Sequence, residues 1–149
     1  MEWQLRPASE SDRAFLYALH CGTMREVIER TWGWDENWQQ TDFARRFSEY
    51  AVSVIEIDGQ PGGGLWLELT PEKLHIVELQ LLPEMQGKGI GTAVVQRVIE
   101  QGANQGVPVT LSVVRANPLA KRLYERLGFE VCGHEPPFIH MRHNTRPAV

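Results

Sequence analysis

Polar and apolar residues alternate from Glu2 to Arg6, as in a short strand with one buried face. Pro7-Ala8-Ser9 stops it. Ser9 or Ser11 can cap the helix that follows, whose positive end suits Glu10 and Asp12. Phe15, Leu16 and Leu19 share one side of that helix. Gly22, after Cys21, predicts its end, and Thr23 predicts a second helix through Met24, Val27 and Ile28. The segment from Thr31 to Phe43 breaks the rhythm, with Trp32, Trp34 and Trp38 interleaved with Asp35 and Glu36. Two readings stand side by side: aromatic packing over the end of a small core, or part of an acceptor wall suited to a cation or amine. Phe43 and Phe47, four apart, mark a further short helix.

From Ala51 the period shortens to two. Ala51–Ile57 reads as a strand, Asp58-Gly59 as a tight turn, and Gly64–Thr70 as the hairpin partner. Pro71-Glu72 turns the chain into an apolar strand, Leu74–Leu82. A Pro-started turn over Pro83–Met85, a glycine-rich loop over Gln86–Gly91 and a helix from Thr92 to about Gln101 follow. Gly102–Pro108 is a loop and Val109–Val114 a β-branched strand. Asn117-Pro118 then opens a helix that Gly128 ends, with Leu119, Leu123 and Leu127 as its stripe. Phe129–Gly133 and Phe138–His143 make a last pair of strands around Glu135-Pro136-Pro137. The tail from Asn144 to Val149 is expected to fray. This order predicts a single α/β (α+β) domain over residues 1–149, with a mixed, mostly antiparallel sheet flanked by helices. Leu74–Val114 should form a right-handed parallel crossover.

Composition narrows the function. The 149 residues suffice for one core, and 42% apolar with 23% charged residues is the balance of a soluble globular chain. Fifteen basic against nineteen acidic residues leave a net charge of −4, which disfavours nonspecific nucleic-acid binding and mildly favours a cationic or neutral partner. Cys21 and Cys132 lie far apart, in no metal-ligand spacing, and read as reduced thiols; no metal is expected. With no signal peptide and no apolar run of spanning length, the sequence points to a cytoplasmic protein without membrane contact.

The chemistry centres on Leu74–Ile99. A strand that feeds a glycine loop and then a helix presents free amides and a partial positive charge to an anion. Gly87, Gly89 and Gly91 allow close backbone approach, and Lys88 adds a cation. A nucleotide P-loop requires Gly-Lys-Ser/Thr, whereas Lys88 here is followed by Gly89. The dinucleotide fingerprint requires G-x-G-x-x-G and an acidic residue ~20 positions on, and the chain offers G-x-G-x-G with Glu100 too near.

Gln86-Gly87-Lys88-Gly89-Ile90-Gly91 follows Leu81-Leu82-Pro83-Glu84, and Asn117 later opens a helix ending Leu123-Tyr124-Glu125-Arg126-Leu127-Gly128-Phe129. Together these resemble the two signatures of the GNAT superfamily of acetyl-CoA-dependent N-acetyltransferases, and the resemblance extends along the whole chain. It implies that strands Leu74–Leu82 and Val109–Val114 splay to admit the pantetheine arm of acetyl-CoA, which would bond main-chain groups near Leu79, Leu81 and Leu82. The pyrophosphate would rest on amides from Gln86 to Thr92, Ile90 included. Asn117 would bond the pantetheine region or hold the loop, and Lys88 and Lys121 could reach phosphates. Family members are often dimers, so a homodimer is among the implied assemblies.

The implied reaction is acetyl transfer to a primary amine, on a small cationic molecule or an amino terminus, by direct attack in a ternary complex. A non-catalytic acyl-CoA sensor or regulatory module is the alternative. Tyr124 matches the position whose hydroxyl faces the thioester sulfur, as general acid. For the base, Glu78 leads. It shares a strand face with Gln80, opposite His75, Val77, Leu79 and Leu81. His75, Glu68, His140 or a water chain are the other candidates. The acceptor pocket would draw on Thr23–Phe47 and Gly133–Phe138.

Overall fold

The structure is a computed structural model that describes residues 1–144. The expected fraying therefore falls outside the described residues except at Asn144. Seven strands run β1 (Trp3–Pro7), β2 (Ala51–Ile57), β3 (Gln60–Leu69), β4 (Leu74–Leu81), β5 (Val109–Val114), β6 (Glu130–Glu135) and β7 (Phe138–His143). Among the described residues, four α-helices join them: α1 (Arg13–Thr31), α2 (Glu36–Glu49), α3 (Ile90–Gln105) and α4 (Pro118–Arg126). The strands form one mixed, mostly antiparallel open sheet in the order β1-β2-β3-β4-β5-β7-β6, flanked by helices. Its parallel pair is β4 with β5, as the strand–helix–strand pattern requires.

The chain divides into two compact units: Met1–Leu67 with Glu78–Ile90, and Glu68–Val77 with the chain from Gly91 onward. In the first, Leu16, Leu19, Phe43, Val54, Ile55, Leu65 and Trp66 are buried. Helix α1 lies close on β3. A Cβ at Gly64 would stand 2.8 Å from a Leu16 methyl, so any larger residue there would push that side chain aside. The β2–β3 hairpin turns on Asp58 and Gly59, both at positive φ, the turn their sequence predicts. In the second unit, β5 alternates in the expected way: Val109, Leu111 and Val113 are buried, whereas Thr110 and Ser112 are partly exposed. Helix α4 contacts β5.

Several boundaries differ from the sequence pattern: α3 runs on to Gln105 through the expected Gly102 loop, β6 runs from Glu130 to Glu135, and three further differences have clear causes. Helix α1 runs through Cys21-Gly22 without a break. Buried Leu16, Leu19, Val27 and Ile28 lie on both sides of Gly22 and offset its poor helix propensity. The stop is Gly33, at φ 83°, whose N–H donates to the carbonyls of Ile28 and Glu29. Helix α2 begins within the Trp-rich segment because Asp35 caps it, accepting from the Trp38 N–H at 3.0 Å. Strand β3 begins at Gln60, straight after the turn, rather than at Gly64; pairing extended strands past the glycines satisfies their backbone groups.

Candidate active site

In the first unit, β4 ends in a corner held by hydrogen bonds. The Leu82 N–H donates to the Gly62 carbonyl at 2.9 Å, and the Met85 N–H donates to the Leu82 carbonyl at 2.8 Å. The Gln86 side chain folds back, its Nε2 donating to the Leu81 carbonyl at 3.0 Å. Gln86 thus fixes the corner, and the Leu81 carbonyl proposed for pantetheine already has one partner. Gly87 and Gly89 follow at φ 75° and 82°, with open space where a side chain would stand. Helix α3 starts at Ile90, two residues before the predicted start. Gly91 and Thr92 consequently lie in its first turn, and positive φ is confined to Gly87 and Gly89 in this loop.

This corner suits a pyrophosphate. The first amides of a helix have no acceptor within it, the segment Gln86–Thr92 holds Lys88 and no acidic side chain, and the loop glycines are exposed.

Also in the first unit, Glu78 is engaged. Arg46 Nη2 donates to its Oε1 at 3.0 Å, and both side chains are largely buried. The Arg46 guanidinium lies 5.5 Å from the Trp66 ring centre, and Trp66 meets Phe43 edge to face at 5.3 Å. Gln80, next along that strand face, is 4% exposed, and its Oε1 has no hydrogen-bond partner among the described residues.

The Trp-rich segment divides. Trp34 packs at 5.9 Å from His20 beneath the Arg25 guanidinium, and its Nε1 donates to Glu36. Trp32 and Trp38 remain more than half exposed. The carboxylates that suggested an acceptor wall are spent locally. Asp35 caps α2, and Glu36 accepts from Trp34, Tyr17 and Gln40. Those bonds, Trp34's first, hold the Glu36 carboxyl below its usual pKa. Burial, with the Glu36 hydrogen bond, pushes the Tyr17 hydroxyl above its own. Beneath them, buried His20 and Gln39 share a 2.8 Å hydrogen bond.

In the second unit, Asn117 caps α4, its Oδ1 accepting from the Ala120 N–H at 3.3 Å. Tyr124, on that helix, is partly exposed and stands edge to face with buried Phe129 at 5.6 Å. Lys121 pairs with Glu125 one turn along, a helix-surface ion pair rather than an uncommitted cation. His75 Nδ1 and Thr110 Oγ1 stand 2.8 Å apart. Burial above all holds the His75 pKa below its ordinary value; Lys73 and His140 act the same way and exposed Glu68 against them. Two residues along β5, Ser112 Oγ meets His140 Nδ1 at 2.7 Å. Glu135 Oε2 lies 3.7 Å from the Nε2 of that imidazole.

The sequence names His75 and His140 but neither Ser112 nor Arg46. Their partners lie 28 and 32 residues away along the chain, and only strand register and helix packing bring them together. The one available signal was the alternation of Thr110 and Ser112 with apolar neighbours. Among the described residues, no group of three His, Cys, Asp or Glu side chains could hold a metal ion. No described helix is long and apolar enough to cross a membrane.

The glycine corner that opens α3 and the Asn117-capped helix that carries Tyr124 are the two elements on which the family resemblance rests. The chain belongs to the acetyltransferase (GNAT) family, whose model matches residues 13–129. An uncharacterised N-acetyltransferase of Methanocaldococcus jannaschii is 34% identical over 86 residues, which are 52% of this chain and 38% of that relative. The chain thus matches well under half the length of that curated relative. The fold is shared with the PaiA N-acetyltransferase of Thermoplasma acidophilum, solved in complex with coenzyme A. Its TM-score is 0.74 at 19% identity, covering 96% of this chain and 99% of that one. It is shared also with the ribosomal-protein-S18-alanine N-acetyltransferase of Escherichia coli, with a TM-score of 0.71 at 19% identity over 99% and 97%.

Proposed function

We propose that this protein transfers an acetyl group from acetyl-CoA to a primary amine, by direct attack within a ternary complex. The observation that carries the reading is the Gly87–Gly89 corner at the start of α3, within a chain of the GNAT family. The amides from Gln86 to Thr92 and the Lys88 ammonium hold the pyrophosphate. Remaining main-chain acceptor capacity at the Leu81 and Leu82 carbonyls binds the arm beyond it, the Leu82 N–H being spent on Gly62, and Asn117 fixes the turn into α4. Acetyl-CoA supplies the activated acyl carbon. Tyr124 Oη gives a proton to the departing sulfur, a contribution of ~10²–10⁴-fold for a well-placed donor. Glu78 is the residue the sequence puts forward to receive the proton of the amine.

The acceptor is an amino-terminal amine of a peptide or protein, or a small cationic amine. The E. coli neighbour acts on an alanine of a ribosomal protein, which supports the first. Asp35 caps α2 and Glu36 accepts from Trp34, Tyr17 and Gln40, so both carboxylates already have partners within the protein.

The test is free-thiol release from acetyl-CoA with a panel of small amines and of peptides with free amino termini. Turnover with one class, lost in Tyr124→Phe at unchanged CoA affinity, supports the proposal. CoA binding without thiol release for any acceptor would make the protein an acyl-CoA sensor and sink it.

A further inference from the structure

Ser112 and His140 face each other across the antiparallel β5–β7 register. Their Oγ···Nδ1 separation of 2.7 Å is a hydrogen bond in which the serine hydroxyl can donate to a bare Nδ1. On the far side of the ring, the Glu135 carboxylate stands 3.7 Å from Nε2, where its charge favours a proton on that nitrogen. Both contacts are compatible with the tautomer that carries its proton on Nε2, toward Glu135, and leaves Nδ1 to accept from the Ser112 hydroxyl. Phe138 stacks on the ring at 6.5 Å with 14° between planes. The imidazole also lies over Gly133, where a Cβ would stand 3.6 Å from its Cδ2.

The placement also points to function. The β4–β5 ladder runs from Leu74↔Val109 to Ile76↔Leu111, so Ser112 is the first residue of β5 beyond it. In open α/β sheets, ligands bind outside the carboxyl ends of the strands. Ser112 lies toward that end of β5, on its partly exposed face. The neighbouring pair, His75 with Thr110, lies within the ladder.

We infer that Ser112, His140 and Glu135 form a proton relay that takes the proton of the acceptor amine. The inference rests on the transfer reading above. The amine nitrogen forms a bond to the acyl carbon as the carbon–sulfur bond breaks. The proton leaving nitrogen passes to Ser112 Oγ while the serine's own hydroxyl proton moves to His140 Nδ1. The sulfur takes the Tyr124 proton, and water returns the imidazolium and tyrosinate to their resting states. Ser112 stays unacylated throughout. Glu135 is a positioning residue that holds the tautomer.

Two measurements on the full chain test this. In nitrogen-15 spectra of labelled histidine, with His140 assigned by its loss in His140→Gln, neutral His140 should carry its proton on Nε2. Glu135→Gln should shift the population toward Nδ1–H. A resting Nδ1–H tautomer in the wild type would overturn the relay. In thiol-release assays with whichever panel amine turns over, Ser112→Ala and His140→Gln should each lower kcat at least tenfold at unchanged CoA affinity, and Ser112→Thr should restore it. Undiminished kcat in Ser112→Ala, or an acetyl adduct on Ser112 by mass spectrometry, would also overturn it. If the wild type acetylates no amine, the transfer reading fails and takes the relay with it, whereas turnover with undiminished kcat in Ser112→Ala overturns the relay alone.

Discussion

Arg46 Nη2 stands 3.0 Å from Glu78 Oε1, tying helix α2 to strand β4 with side chains only 14% and 22% exposed. The same guanidinium covers the Trp66 ring. Arg46→Ala therefore removes packing as well as charge and leaves a shielded carboxylate alone. It should cost about 2–3 kcal/mol in urea unfolding, less than breaking a fully buried pair. Glu78→Gln keeps a hydrogen-bond acceptor and should cost about 1 kcal/mol. If the relay through Ser112 operates, Glu78→Gln should also keep kcat within a few-fold; a loss of about 10²-fold or more would return the base to Glu78.

Gly89→Asp should retain the far-ultraviolet spectrum of the wild type and lose CoA affinity by at least about tenfold in calorimetry. It places a carboxylate and a strained positive φ beside the amides that open α3. Gly22→Asp, exposed on α1, is the matched control for added charge. Equal CoA affinity in Gly89→Asp and the control would remove the pyrophosphate from this corner.

Asp12 accepts from Arg6 at 2.9 and 3.0 Å and from the Ser9 N–H at 2.8 Å. These bonds, the Arg6 side chain's first, hold its carboxyl well below the usual carboxylate range. A depressed folded-state pKa contributes stability that is complete above the unfolded value of about 3.9 and is lost as pH falls below it. Urea midpoints measured between pH 6 and 2.5 should fall less steeply in Asp12→Asn than in the wild type. Parallel curves would mean that the pair contributes nothing to acid sensitivity.

Gly22 sits in the interior of α1 with open space where a Cβ would project. Gly22→Ala should stabilise the protein by about 0.5–1 kcal/mol through the entropy glycine loses in a helix. At this chain length that is a rise in Tm of about 1–4 °C by calorimetry. An unchanged or lower Tm would show that α1 does not tolerate helical geometry there.

Much of the site was legible because it is local. The glycine corner, the Asn117 cap and the place of Tyr124 on α4 each depend on residues within a few positions of one another. Backbone geometry there follows from glycine freedom and capping chemistry. The hairpin at Asp58-Gly59 and the alternation of β5 were legible for the same reason. The break expected at Gly22 failed because burial on both sides of one glycine outweighs its local preference, a sum that the neighbouring residues alone do not contain.

The sequence by itself determined the order of the strands, the glycine corner before α3 and the family. These rest on short-range rules, periodicity, turn chemistry and spacing, that act before the chain folds. Only the tertiary structure decided what each candidate base touches. It set Arg46 against Glu78, joined Glu36 to Tyr17 of α1, and brought Ser112 and His140 to 2.7 Å across the β5–β7 register. A side chain's partner across strands is fixed by register and packing over tens of residues, and proton chemistry depends on that partner.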